Sequence, residues 1–156
     1  MYKSTLTATF LSLFFIVFMS CSDNSNSGTQ QDYVDAEGST AKEVHPGMIT
    51  PAEVEITTPL NVTWVDNGKK MYDLKCQSCH KLNDERIVGP GWSGITTRRE
   101  PVWIMNMITN VDVMLEKDPE AQKLLEMCLV RMPNQNVTKE EARHILEFMR
   151  HNDGVK

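Results

Sequence analysis

From Trp64 to the C-terminus the apolar positions repeat with the helical period of 3.6 residues. Asp66 can cap a first helix running to about Lys75, with Gly68 and Tyr72 one turn apart on it. Pro101 suits the first position of a second helix over 101–110. Asp118-Pro119 pairs a capping side chain with a proline at N1 and predicts a third helix over 119–130. On it Ala121, Leu124, Leu125 and Cys128 fall at i, i+3, i+4 and i+7, one buried face. Thr138, with Glu141 three residues on, is a capping box that opens the last helix. The predicted inner face of that helix is Ala142, Ile145, Leu146 and Met149, and Gly154 lies just past its end. No run alternates as a strand would. The pattern predicts an all-α domain over 64–153 with a short tail at 154–156. A domain of about 90 residues buries little surface, so it gains much from a non-protein component in its core.

The upstream pattern is different. Lys3 precedes an apolar run from Phe10 to Met19, broken only by Ser12. Such a run is too short to span a bilayer and fits the apolar region of a secretory signal. Phe18-Met19-Ser20-Cys21 resembles a bacterial lipobox, with Phe18 where an aliphatic residue is usual. That resemblance implies a signal peptide over 1–20 and a lipidated N-terminus at Cys21. Residues 22–31 are wholly polar and are expected to be disordered. Asp32 to Thr63 mixes acidic and β-branched residues with Pro46, Pro51 and Pro59. Residues 21–63 therefore read as a lipid-anchored flexible linker whose last part can pack on the domain. As a free coil such a tether spans roughly 36 Å root-mean-square. Export implies an oxidising compartment, here the periplasm-facing cell envelope.

Composition narrows the function. The chain has 156 residues, 40% apolar and 24% charged, which excludes a collagen-like or fully disordered protein. Its net charge is −5 and it has no basic block, so a nucleic-acid partner is not expected. Ten methionines, four cysteines and four histidines keep metal, haem and redox chemistry open.

Cys76-Gln77-Ser78-Cys79-His80 is C-x-x-C-H, the signature of c-type haem attachment. One helical turn presents both thiols on one side, and the next residue supplies an imidazole to the iron. A dithiol redox pair would want a βαβ pattern and has no need of the histidine. A zinc site would want two further ligands at matched spacing, which His45, His144, His151 and Cys128 do not provide. A low-spin electron carrier needs a sixth ligand. Met105, Met107, Met114, Met127, Met149, His144 and His151 are candidates, but methionine at helical spacing is usually core filler. Met132 instead sits in Arg131-Met132-Pro133, a connection that proline stiffens between two helices. A thioether ligand there would set a high reduction potential.

Residues 64–151 resemble the class I mono-haem cytochromes c. The resemblance rests on Gly68 and Tyr72, the run Cys76–His80, Gly89-Pro90, Met132-Pro133 and a last helix with Phe148. It implies one haem c bound through Cys76 and Cys79, with His80 and Met132 as iron ligands. It also implies that the Pro90 carbonyl accepts a hydrogen bond from His80 Nδ1, and that Trp92, Arg98 and Arg99 lie near the haem propionates; the competing readings are core packing for Trp92 and a solvated charge pair for Arg98 and Arg99. The implied function is single-electron transfer, not enzymatic catalysis. The donor would be a quinol-oxidising membrane complex and the acceptor a terminal oxidase or respiratory reductase. Residues 129–135 are similar to small lipoprotein cytochromes that accompany such reductases, nitrous oxide reductase among them. The competing reading is a haem sensor or peroxidase-like enzyme with an open or displaceable sixth site.

Overall fold

The computed structural model describes residues 45–156, which form helices with no strand among them. The expected signal peptide, Cys21 and residues 22–44 lie outside the described residues. The helices are α1 (Val62–Met71), α2 (Ile95–Arg98), α3 (Pro101–Thr109), α4 (Val111–Lys117), α5 (Pro119–Cys128) and α6 (Lys139–Asn152). The all-α expectation holds.

Helix α1 starts earlier than Asp66. Asn61 is its cap, with the side-chain oxygen accepting from Trp64 N at 3.1 Å, and Asp66 lies a turn inside. The helix ends in a wider π turn, Tyr72–Cys76, that leads into the C-x-x-C-H run. Pro101 opens α3 at the predicted place. Asp118 caps α5 by accepting from Glu120 N and Ala121 N, both at 3.0 Å. Helix α5 stops at Cys128, two residues short of the expected end, where Leu129 turns left-handed at φ 58°. The capping box of α6 is complete: Thr138 Oγ1 accepts from Glu141 N at 3.2 Å, and Glu141 accepts from Thr138 N at 2.8 Å. Helix α4 was not in the periodic pattern, because seven residues are too few to establish one.

The main core lies between α1, α3 and α6, and the predicted inner face Ala142, Ile145, Leu146 and Met149 is buried in it. Helices α1 and α6 cross at Gly68. A Cβ there would stand 2.0 Å from the His144 carbonyl oxygen and 2.8 Å from Phe148 Cβ. Only a residue without a side chain lets the two backbones approach so closely. Gly68→Ala is expected to cost about 3 kcal/mol, the upper part of the usual overpacking range, because the obstacle is backbone. Chemical denaturation of the holoprotein checks this through a lower midpoint at unchanged slope.

The packed part of the chain begins before Trp64. Ile49 is buried, and Asn106 on α3 satisfies both its backbone groups at 2.8 Å. Further along, Thr57 Oγ1 and Asn61 N donate to Glu147 at 3.0 and 2.9 Å. Those polar links replace the periodic apolar signal that residues 45–61 lack.

Candidate cofactor site

The π turn delivers the C-x-x-C-H run as a helical turn. Cys79 N and His80 N both donate to Cys76 O, at 3.0 and 2.9 Å. Both thiols are free and half-buried. Burial pushes the Cys76 thiol up to about 11, although the Lys75 ammonium beside it pulls the other way. A dithiol redox motif needs a depressed thiol pKa. The environment of Cys76 runs against that alternative.

His80 is held by its neighbours on three sides. Its Nδ1 lies 2.8 Å from the Pro90 carbonyl, which can only accept, so this nitrogen carries the proton. Burial lowers the imidazole's pKa, outweighing the Pro90 bond, which raises it. The ring is thus neutral near pH 7, with Nε2 as a bare lone pair, the form that binds metal. Tyr72 donates its hydroxyl to His80 O at 2.8 Å, and Gly89 N donates to Cys79 O at 2.9 Å. A Cβ on Gly89 would stand 2.3 Å from His80 Cε1, so glycine alone lets the chain pass the ring face. Trp92, buried, packs 5.5 Å from the His80 ring and 5.0 Å from Tyr72. Asp153 fixes the segment that follows, accepting from Gly94 N at 2.7 Å and from Thr96 N at 2.8 Å.

Beside His80 lies a cavity of about 370 Å³. Cys79, His80, Pro90, Trp92 and Ile95 form part of its wall, and Met132 and Pro133 another part. Helix α3 contributes Trp103, Ile104, Met107 and Ile108, and α5 contributes Leu124, Leu125 and Cys128. The sequence reading therefore placed one α5 face correctly but not its partner. Ala121 is buried in protein, whereas the other three face this space. Of the α3 residues on the wall only Met107 had been a candidate, yet that helix is apolar nearly all round, the mark of an element with core on one side and a second apolar surface on the other. Cys76 lies one turn back, against the main core.

Arg98 and Arg99 do not reach the cavity wall. Arg98 is exposed and donates to the Ser93 carbonyl. Arg99 pairs with Glu120 at 3.2 Å and stacks 4.7 Å over Trp103. Each arginine thus has a local partner outside the cavity wall. The cation on the wall is Arg131, itself paired with Asp112 at 2.6 Å.

The donor set fits a large, flat, apolar group that brings its own metal. The wall is almost wholly carbon, and its few donors are one neutral imidazole, the thiols of Cys79 and Cys128 and the thioethers of Met107, Met132 and Met149. No cluster of His, Cys, Asp or Glu among the described residues could hold a bare metal ion.

A family model for cytochrome c matches residues 65–153, and the chain belongs to that family. Its cofactor is accordingly haem c, attached covalently through cysteine. The chain is similar to the solved cytochrome c from Rhodothermus marinus, at 30% identity and a TM-score of 0.64 over 69% of this chain and 92% of that one. An engineered Rhodothermus marinus cytochrome c, Rma TDE, matches at 30% identity and TM-score 0.62, over 67% of this chain and 90% of that one. The same engineered protein bound to a carbene intermediate matches at 30% identity and TM-score 0.59, over the same shares of the two chains. No curated protein matches the chain.

Proposed function

We propose that this protein is a lipid-anchored carrier of single electrons. Cys76 and Cys79 would attach the haem, and His80 and Met132 would hold its iron. The observation that carries this reading is a single apolar cavity bearing both a neutral imidazole with Nδ1 already satisfied and the thioether of Met132. Bound there, the haem supplies an iron that alternates between ferric and ferrous.

The chain's own residues do the rest. Pro90 and Gly89 fix the orientation of His80, so the ligand need not reorient when the charge changes. The carbon-lined wall excludes bulk water, which keeps the solvent contribution to reorganisation small. Apart from His80 the wall carries no histidine or carboxylate that could serve as a distal acid–base group, and its cation, Arg131, is paired with Asp112. That speaks against the peroxidase-like reading.

The anchor rests on the lipobox-like run ending at Cys21. No helix among the described residues is long and apolar enough to cross a membrane. The tether would let the domain swing, on the periplasmic side, between a quinol-oxidising complex and a terminal oxidase or respiratory reductase. The similarity of residues 129–135 to cytochromes accompanying nitrous oxide reductase makes that reductase a candidate acceptor. A net charge of −5 favours partners with basic docking faces and an on-rate that falls with salt.

Optical spectroscopy of the purified holoprotein tests the ligand set. The ferric form is expected to show the thioether-to-iron charge-transfer band, and the ferrous form to resist carbon monoxide at neutral pH. A ready carbon monoxide adduct with no such band would replace the carrier with an open-site sensor or catalyst. Palmitate labelling that survives Cys21→Ala would remove the anchor.

A further inference from the structure

The loop between α5 and α6 presents Met132, and very little backbone holds it. Among the described residues, no backbone–backbone hydrogen bond involves residues 130–137. The loop has internal links, with Asn136 N donating to Asn134 Oδ1 at 2.8 Å. Val137 anchors its far end in the core. Two polar contacts reach out of it on either side of Met132. Arg131 meets Asp112 at 2.6 Å, with both side chains more than half exposed. Lys75 Nζ donates to the Gln135 carbonyl at 3.1 Å, in a half-buried setting.

The second contact joins two parts of the site that are distant in sequence. Lys75 immediately precedes Cys76, and Gln135 is three residues after Met132. We propose that Lys75 is a positioning residue for the sixth ligand. It ties the haem-attachment turn to the loop that carries Met132, and so governs how readily the site opens to an outside ligand. This rests on the reading of Met132 as that ligand.

The physical case is comparative. An exposed ion pair such as Arg131–Asp112 contributes little, because water screens it and two long side chains must be ordered. An ammonium donating to a carbonyl in a half-buried place is a charge-assisted bond with less competition from water. A loop lacking backbone bonds opens at a free-energy cost set by such contacts. An outside ligand then binds in proportion to the fraction of molecules that are open.

Imidazole titration of the ferric holoprotein, followed through loss of the thioether band, tests the proposal. Haem staining on a denaturing gel first confirms attachment in each variant. Lys75→Met keeps the aliphatic stem and loses the donor. Imidazole is expected to bind it about fivefold more tightly than the unsubstituted protein, the factor one net hydrogen bond represents. Lys75→Arg, which restores a cationic donor, should return to within twofold of the unsubstituted value, and Asp112→Asn should not leave it. Should Lys75→Met fail to mature, Lys75→Gln is read in the same way. Binding to Lys75→Met within twofold of the unsubstituted protein, or equal shifts in the Met and Arg variants, would overturn the role. A missing thioether band in the unsubstituted protein would instead overturn the assignment of Met132, and this role with it.

Discussion

Truncating Met132 to alanine is expected to give a pigmented, folded protein whose iron outside ligands reach freely. The haem stays because its attachment runs through Cys76 and Cys79, which the change does not touch. The thioether band disappears, and carbon monoxide binds the ferrous form on the order of a hundredfold more tightly, since no internal ligand has to leave first. The reduction potential falls, because a thioether favours the ferrous state more than water or hydroxide does. Stability falls less than for a fully buried methionine, which costs about 2–5 kcal/mol on truncation, because Met132 is only half-buried. Carbon monoxide titration and redox potentiometry on one preparation read both effects. A variant that kept its band and still resisted carbon monoxide would point to another thioether on the same wall, Met107 or Met149.

That Met132 lies in a loop could be read from the chain, and this reflects what kind of information the site carries. Local chemistry was legible. A thiol pair one helical turn apart with an adjacent imidazole needs only its spacing, and Pro133 marks Met132 as a loop residue without any fold. The Pro90 contact came from family resemblance, and the distance of 2.8 Å bears it out. Caps that sit beside their helices, at Asp118 and Thr138, were legible for the same reason. What escaped depends on contacts between distant segments. Arg99 meets Glu120, which lies on another helix and is not marked as its partner by anything local in the chain. The packing of residues 45–61 rests on Asn106 and Glu147, single polar side chains that leave no periodicity. Asn61 rather than Asp66 caps α1 because the same Glu147 holds the Asn61 backbone at the helix entrance.

Glu147 is therefore where the largest loss of stability is expected. Its side chain is fully buried on α6 and meets Arg143 at 2.6 Å and Arg150 at 2.9 Å. It also accepts from Thr57 and Asn61, while Arg143 and Arg150 reach on to the carbonyls of Glu55 and Thr57. One carboxylate thus fastens the segment before α1 to the helix that α1 crosses. Glu147→Ala would leave two guanidinium groups facing each other in a dry place, with the Thr57 hydroxyl and Asn61 N–H unpaired. Breaking a buried pair from one side costs about 3–5 kcal/mol, several times an exposed ion pair. Proton linkage gives an independent check. Burial would raise the Glu147 pKa, but the Asn61 N–H and the two guanidinium groups outweigh it and hold the carboxyl below its ordinary value of 4.5. A depressed folded pKa contributes stability that is complete above that value and disappears as pH falls through the folded one. Glu147→Gln should accordingly cost most near neutral pH and progressively less as pH falls below 4.5, its denaturation midpoint approaching that of the unsubstituted protein in acid. Midpoints that stay parallel across that range would show that the carboxylate's charge is not what fastens the segment, leaving shape and hydrogen bonding alone to do so.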